Sequence, residues 1–165
     1  MDEICEEIVR LLKHREWRVV FAESCTGGLV SATLARMPGV SEHLCGSAVT
    51  YRNRTKQDWL DIPPTLLAEP GPVSGIVARC MAEGVLKMTP EAHVAVSITG
   101  HLGPAAPAEL DGLVYIGTAH RGDGDAPSTG VGRYHLRSDD RLARQQEAAE
   151  HAFNELRSLL SNTQR

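Results

Sequence analysis

Ala22-Glu23-Ser24-Cys25-Thr26-Gly27-Gly28 follows the apolar run Val19-Val20-Phe21 and precedes a helix-like run over residues 29–36. Together they read as strand, polar glycine-containing turn and helix, the order that begins an α/β unit. Such a junction aims several backbone N–H groups and the positive end of a helix at one spot, where two hydroxyls and a thiol also stand. The stretch is therefore a candidate site. The plainer reading is that Ser24 or Thr26 caps the helix while the glycines close the turn.

Outward from this turn, the periodicity alternates between helix and strand. Ile4, Ile8, Leu11 and Leu12 recur at helical spacing, with acidic residues in the first turn, and predict a helix over residues 2–15. A strand over 18–22 and a helix over 29–36, stopped by Pro38-Gly39, come next. Residues 47–51 read as a second strand. Residues 52–60 are polar and charged, and Pro63-Pro64 is expected to break regular structure. Ser74 is placed to N-cap a helix reaching Lys87, with Val77, Met81 and Val85 on one face. Residues 93–98 form an apolar strand running into Thr99-Gly100-His101-Leu102-Gly103-Pro104, read as a second glycine-containing turn. Strands over 113–119 and 130–136, joined by a polar hairpin tip at 121–129, precede a helix from 139 to about 160.

Composition narrows the class. A chain of 165 residues, 42% of them hydrophobic, supports one core and so one domain over 1–165. A net charge of −4 with no Lys/Arg block disfavours nucleic acid and anionic membrane surfaces as partners. The cysteines at 5, 25, 45 and 80 form no CxxC pair and no ligand-spaced cluster, so reduced thiols, no metal and a cytoplasmic setting are expected. The acidic start Met1-Asp2-Glu3 does not resemble a signal peptide, and no run approaches the roughly 20 apolar residues of a membrane span.

Chemistry-bearing residues collect at Ser24-Cys25-Thr26, at Tyr51 through Lys56, at Thr99-Gly100 and at Asp140-Arg141. A serine needs a base at neutral pH, and a lysine serves if burial lowers its pKa. Tyr51 and Lys56 reach one cleft if the chain turns after Tyr51; otherwise Lys56 is a solvated surface residue and Tyr51 an edge residue. Cys25 competes with Ser24, since a thiol at a helix N-terminus can be acidified, but free cysteines are commonly small buried hydrophobes. Ser24 ranks first.

Six ordered blocks carry a resemblance. They are Ala22–Gly28, Pro38-Gly39-Val40-Ser41, Val49-Thr50-Tyr51-Arg52-Asn53 with Lys56, Gly71-Pro72-Val73-Ser74, Met81-Ala82-Glu83-Gly84, and Ile98-Thr99-Gly100 with Gly103-Pro104. In this order they resemble the C-terminal domain of the competence/damage-inducible CinA proteins, a family that also occurs as stand-alone PncC-type nicotinamide-nucleotide amidohydrolases. The resemblance implies a three-layer α/β/α sandwich with a mixed central sheet. It also implies a hydrolase that deamidates nicotinamide mononucleotide to nicotinate mononucleotide and ammonia, within pyridine nucleotide salvage. Two-domain members add a molybdopterin-binding-like N-terminal domain, which a chain of this length does not include.

Carried over by position, Ser24 is the nucleophile, Lys56 its base, and Tyr51 a relay or orienting group. Backbone amides of Cys25, Thr26, Gly27 and Gly28 hold an oxyanion or phosphate. Thr99 and Gly100 line the facing wall, and Arg141 of Asp139-Asp140-Arg141 clamps phosphate. No cofactor or metal is required; a homo-oligomer is possible. Two departures stand out. Residues 104–112 lack the family's run of glycines and its lysine, and Arg144 stands one place early with Gln145 at the family's second arginine position. They keep open a different amide substrate, or a non-catalytic nucleotide-binding or interaction module of the same fold. A thiol role for Cys25 is the weakest alternative, having no resolving cysteine nearby.

Overall fold

A computed structural model describes residues 1–104, 106–122 and 126–162. Helix α1 (Asp2–Arg15) buries Cys5, Ile8 and Leu12 and ends at Glu16, in the left-handed region at φ 56°. Strand β1 (Val19–Glu23) is buried at every position, as a central strand covered on both faces must be. Then come α2 (Leu29–Leu34), β2 (Leu44–Val49), α3 (Asn53–Leu60), α4 (Pro64–Ala68), α5 (Gly75–Met88), β3 (Val94–Gly100), β4 (Leu113–His120), β5 (Ser128–His135) and α6 (Arg141–Asn162).

The sheet is mixed, in the order β2-β1-β3-β4-β5. β1 pairs in parallel with both β2 and β3, while β3–β4 and β4–β5 are antiparallel. The pleat divides β1 between two cores. Val19 and Phe21 pack with α1, α2 and α6, whereas Val20 and Ala22 pack with Leu60, Leu67 and the apolar face of α5. The architecture is the expected α/β/α sandwich with a mixed sheet.

Several boundaries differ from the pattern reading. The polar residues 53–60 form α3, which the reading left without an element. Its buried residues are Lys56 and Leu60, so a stripe that includes a lysine hid the amphipathic face. Pro64 begins α4 instead of breaking structure, because a residue at the first helical position needs no N–H partner. Strand β2 starts and stops earlier than 47–51, leaving Thr50 and Tyr51 beyond its end. Thr99 and Gly100 close β3, and the turn begins at His101. Ser74 caps α5 as expected, accepting from the Val77 N–H at 3.4 Å. Part of the 121–129 hairpin tip lies outside the described residues.

From β1 the chain goes by α2 to β2 on one side and later returns by α5 to β3 on the other. The connections pass over opposite faces of the sheet, so the carboxyl end of β1 is a topological switch point, where open α/β sheets bind ligands. Ser24, Thr50 and Gly100 all leave strands there.

Candidate active site

Glu23, the last residue of β1, shapes the turn that follows. Its carboxylate is wholly buried and accepts six hydrogen bonds. Oε2 takes the Thr26 hydroxyl at 2.8 Å and the N–H groups of Gly28 and Val30 at 3.0 Å. Oε1 takes the Ser31 N–H at 2.9 Å, its hydroxyl at 2.8 Å, and the Ser47 hydroxyl at 3.0 Å. The Val30 and Ser31 amides in the first turn of α2 are thus satisfied by a carboxylate of the chain itself, the anion a helix N-terminus favours. Gly27 and Gly28, at φ 63° and 103°, supply the left-handed backbone that folds the turn over Glu23.

This changes the expected anion cradle. The Gly27 N–H donates to the Ser24 carbonyl, and the Gly28 N–H goes to Glu23. Among the described residues the N–H groups of Cys25 and Thr26, directly after Ser24, donate to no backbone carbonyl, and the Cys25 N–H lies against its own thiol. Thr26 faces inward, its carbonyl accepting from Gln145 Nε2 of α6 at 2.8 Å. Thr26, Gly27 and Gly28 support the cleft from behind and do not line it.

Ser24 is pinned by its N–H on the Ile98 carbonyl, and Thr50 by its N–H on the Glu23 carbonyl. Beyond Thr50 the chain turns into α3 through a capping box, in which the Thr55 hydroxyl accepts from the Arg52 N–H. One turn on, Lys56 points back beneath the end of the sheet and is 1% exposed. Its Nζ donates to Ser24 Oγ at 2.9 Å and to the Thr50 carbonyl at 2.6 Å. No carboxylate forms a salt bridge with it among the described residues. Burial lowers the Lys56 pKa from 10.5 to about 8. The Thr50 hydroxyl beside it is buried with no partner among the described residues.

Cys25 is 5% exposed, and burial pushes its thiol up to about 12. A thiol that stays protonated at neutral pH is neither a strong nucleophile nor a redox centre. Ser24 remains the candidate nucleophile of the pair.

Ser24 and Lys56 open into a cleft of about 310 Å³ whose walls include Tyr51, Asn53, Pro72, Thr99, Gly100, Gly103 and Arg141. Thr99 faces it with its hydroxyl turned onto the Pro72 carbonyl at 2.8 Å. Gly100 permits a close strand approach, since a Cβ there would stand 2.4 Å from Val114 Cγ1. Tyr51 is 55% exposed at the rim. Its hydroxyl accepts from Arg141 at 2.9 Å, and no hydrogen bond joins it to the serine–lysine pair. Arg141 also donates to the Gly103 carbonyl at 2.5 Å. Ser24, Cys25, Lys56, Tyr51, Thr99, Gly100 and Arg141 therefore share one cleft. Asn53, in the first turn of α3, joins them without having been singled out; its place in the Tyr51–Lys56 segment was the available signal.

The profile of the family described as "CinA C-terminal domain" matches residues 1–160. A "CinA-like protein" of Anaeromyxobacter sp. (strain K) is 40% identical over 161 residues, 96% of this chain and 38% of that protein. One from Geobacter metallireducens is 37% identical over 144 residues, 86% of this chain and 33% of that protein. The chain thus spans under two fifths of these longer relatives. Among solved structures, the competence damage-inducible protein A of Klebsiella pneumoniae superposes with a TM-score of 0.90 at 27% identity, covering 98% of both chains. The competence/damage inducible protein CihA of Agrobacterium tumefaciens gives 0.88 at 30%, covering 95% of this chain and 93% of that one.

Proposed function

The chain belongs to the CinA C-terminal domain family, and from that premise we propose that it is an amidohydrolase converting nicotinamide mononucleotide to nicotinate mononucleotide and ammonia. The observation that carries the reading is the 2.9 Å contact between Ser24 Oγ and a buried Lys56 amine with no ion-pair partner. An amine with a pKa of about 8 keeps a neutral minority near physiological pH that is far larger than an unshifted lysine's, and that minority is the base. Its lone pair takes the Ser24 proton as Oγ attacks the carboxamide carbon. The N–H of Cys25, directly after Ser24 on the cleft wall, supplies a donor for the oxyanion. The tetrahedral intermediate collapses as the Lys56 ammonium protonates the departing nitrogen, releasing ammonia and leaving a Ser24 ester. Water, deprotonated by Lys56, hydrolyses that ester and restores the serine.

In this reading Arg141 takes the phosphate, its fork aimed by the Gly103 carbonyl and the Tyr51 hydroxyl. Tyr51 thus orients the arginine rather than relaying the serine's proton. Thr99 and Gly100 form the wall against which the pyridine ring lies. The reaction needs no metal or organic cofactor, and salvage of a free nucleotide places the protein in the cytosol. Among the described residues no helix is long and apolar enough to cross a membrane.

The test is incubation of purified protein with nicotinamide mononucleotide, following both products by chromatography. Stoichiometric ammonia and nicotinate mononucleotide support the proposal. Tight nucleotide binding by calorimetry without product would replace it with a non-catalytic binding module.

A further inference from the structure

The segment joining β3 to β4 contributes His101, Leu102, Gly103 and Pro104 to the cleft. It is tied down from behind by Arg144, one turn into α6. The Arg144 side chain is 15% exposed and pairs with both Asp111 oxygens, Nη1 to Oδ1 at 2.8 Å and Nη2 to Oδ2 at 2.9 Å. Its Nε donates to the Ser138 carbonyl at 2.7 Å, and Nη1 also reaches the Leu102 carbonyl at 3.4 Å. One guanidinium thus fastens both ends of the segment to the start of α6. The fit leaves little room: a Cβ on Gly103 would stand 2.7 Å from Asp111 Oδ1 and 2.8 Å from Arg144 Nη1. Neither Asp111 nor Arg144 lines the cleft that holds Ser24 and Lys56.

We propose that Asp111 and Arg144 are positioning residues whose bidentate pair clasps residues 101–104, on the wall of the Ser24–Lys56 cleft, presenting that wall in its ligand-ready position before substrate arrives. A bidentate arginine–carboxylate pair fixes orientation as well as distance. A wall held in place removes ordering cost from binding and leaves the bond-breaking step to Ser24 and Lys56. The clasp bears on Arg141 too, because Arg141 rests on the Gly103 carbonyl that the segment presents. The kinetic part of this inference rests on the amidohydrolase reading; the clasp itself does not.

The experiment compares wild type with Arg144→Gln, Asp111→Asn and the charge-swapped pair Asp111→Arg/Arg144→Asp. Amide hydrogen exchange of the β3–β4 segment, which needs no turnover, is expected to quicken about tenfold in each single variant. With nicotinamide mononucleotide, KM is expected to rise about tenfold while kcat stays within about twofold. The swapped pair is expected to recover part of both losses. Should wild type release no ammonia, the amidohydrolase reading fails and the exchange data alone judge the clasp. Unchanged exchange in both single variants would overturn it, as would a fall in kcat at unchanged KM.

Discussion

At the scale of the residue, the proposed chemistry depends on the protonation of Lys56. Burial depresses its pKa from 10.5 to about 8, so the active neutral form accumulates as pH rises. The turnover of nicotinamide mononucleotide is therefore expected to climb between pH 6 and 9 with an apparent pKa near 8, read from initial ammonia-release rates. Lys56→Met is expected to lower kcat by about a thousandfold or more, as the loss of a nucleophile's base does. The same shift predicts a stability effect of definite sign. Below about pH 8 the amine is protonated in both folded and unfolded chains, and the folded state bears the full cost of a buried charge. From about pH 8 to about 10.5 the amine is neutral in the folded chain while in the unfolded chain it still binds a proton, so stability rises with pH. Comparing urea midpoints of wild type and Lys56→Met at pH 7 and pH 10 is expected to show a relative gain for wild type of roughly 3 kcal/mol. A difference that does not change with pH would mean the amine is not desolvated.

At the scale of the element, the β1–α2 turn depends on Glu23, whose carboxylate ties α2 and β2 to the end of the central strand. Glu23→Ala leaves the buried donors of Thr26 and Val30 and the part-buried N–H groups of Gly28 and Ser31 unpaired, at a cost of about 3–5 kcal/mol. Thermal unfolding is expected to drop by roughly 6–20 °C, at about 2–4 °C per kcal/mol for a chain of this size. Glu23→Gln is expected to recover only part of this, because the amide NH2 cannot accept the three hydrogen bonds now received by Oε2. A second element-level constraint is the approach of α5 to the end of α3. A Cβ on Gly84 would stand 2.5 Å from the Leu60 carbonyl oxygen. Gly84→Ala is therefore expected to separate the two helices and destabilise the fold by about 1–3 kcal/mol, measurable as a lowered urea midpoint. The shift would reach Lys56 through α3, so lost activity is expected to accompany it.

At the scale of the whole molecule, the alternation of helix and strand was readable because most core positions carry an ordinary apolar side chain. Ile8 and Leu12 in α1, Phe21 in β1 and Val77 and Met81 in α5 all lie where period and pattern put them. The first helix emerged with its boundaries intact, and the Ser74 cap with its partner. Legibility failed where a polar side chain takes a buried role. Lys56 sits on the inner face of α3, so residues 52–60 read only as polar and charged. Glu23 read as part of a turn, although its carboxylate organises that turn. The departures at Arg144 and Gln145 acquire a physical meaning only in three dimensions, where the first holds Asp111 and the second the Thr26 carbonyl. The Ser24–Lys56 contact joins residues 32 apart in sequence, and no local pattern displays that distance.

The most direct measurement of the central claim is the intact mass of the protein quenched in acid during turnover of nicotinamide mononucleotide. The account predicts an acyl adduct of the nicotinate mononucleotide group, mapped to the peptide containing Ser24, with both adduct and ammonia lost in Ser24→Ala. Ammonia release by Ser24→Ala at the wild-type rate, with no adduct on either protein, would contradict it.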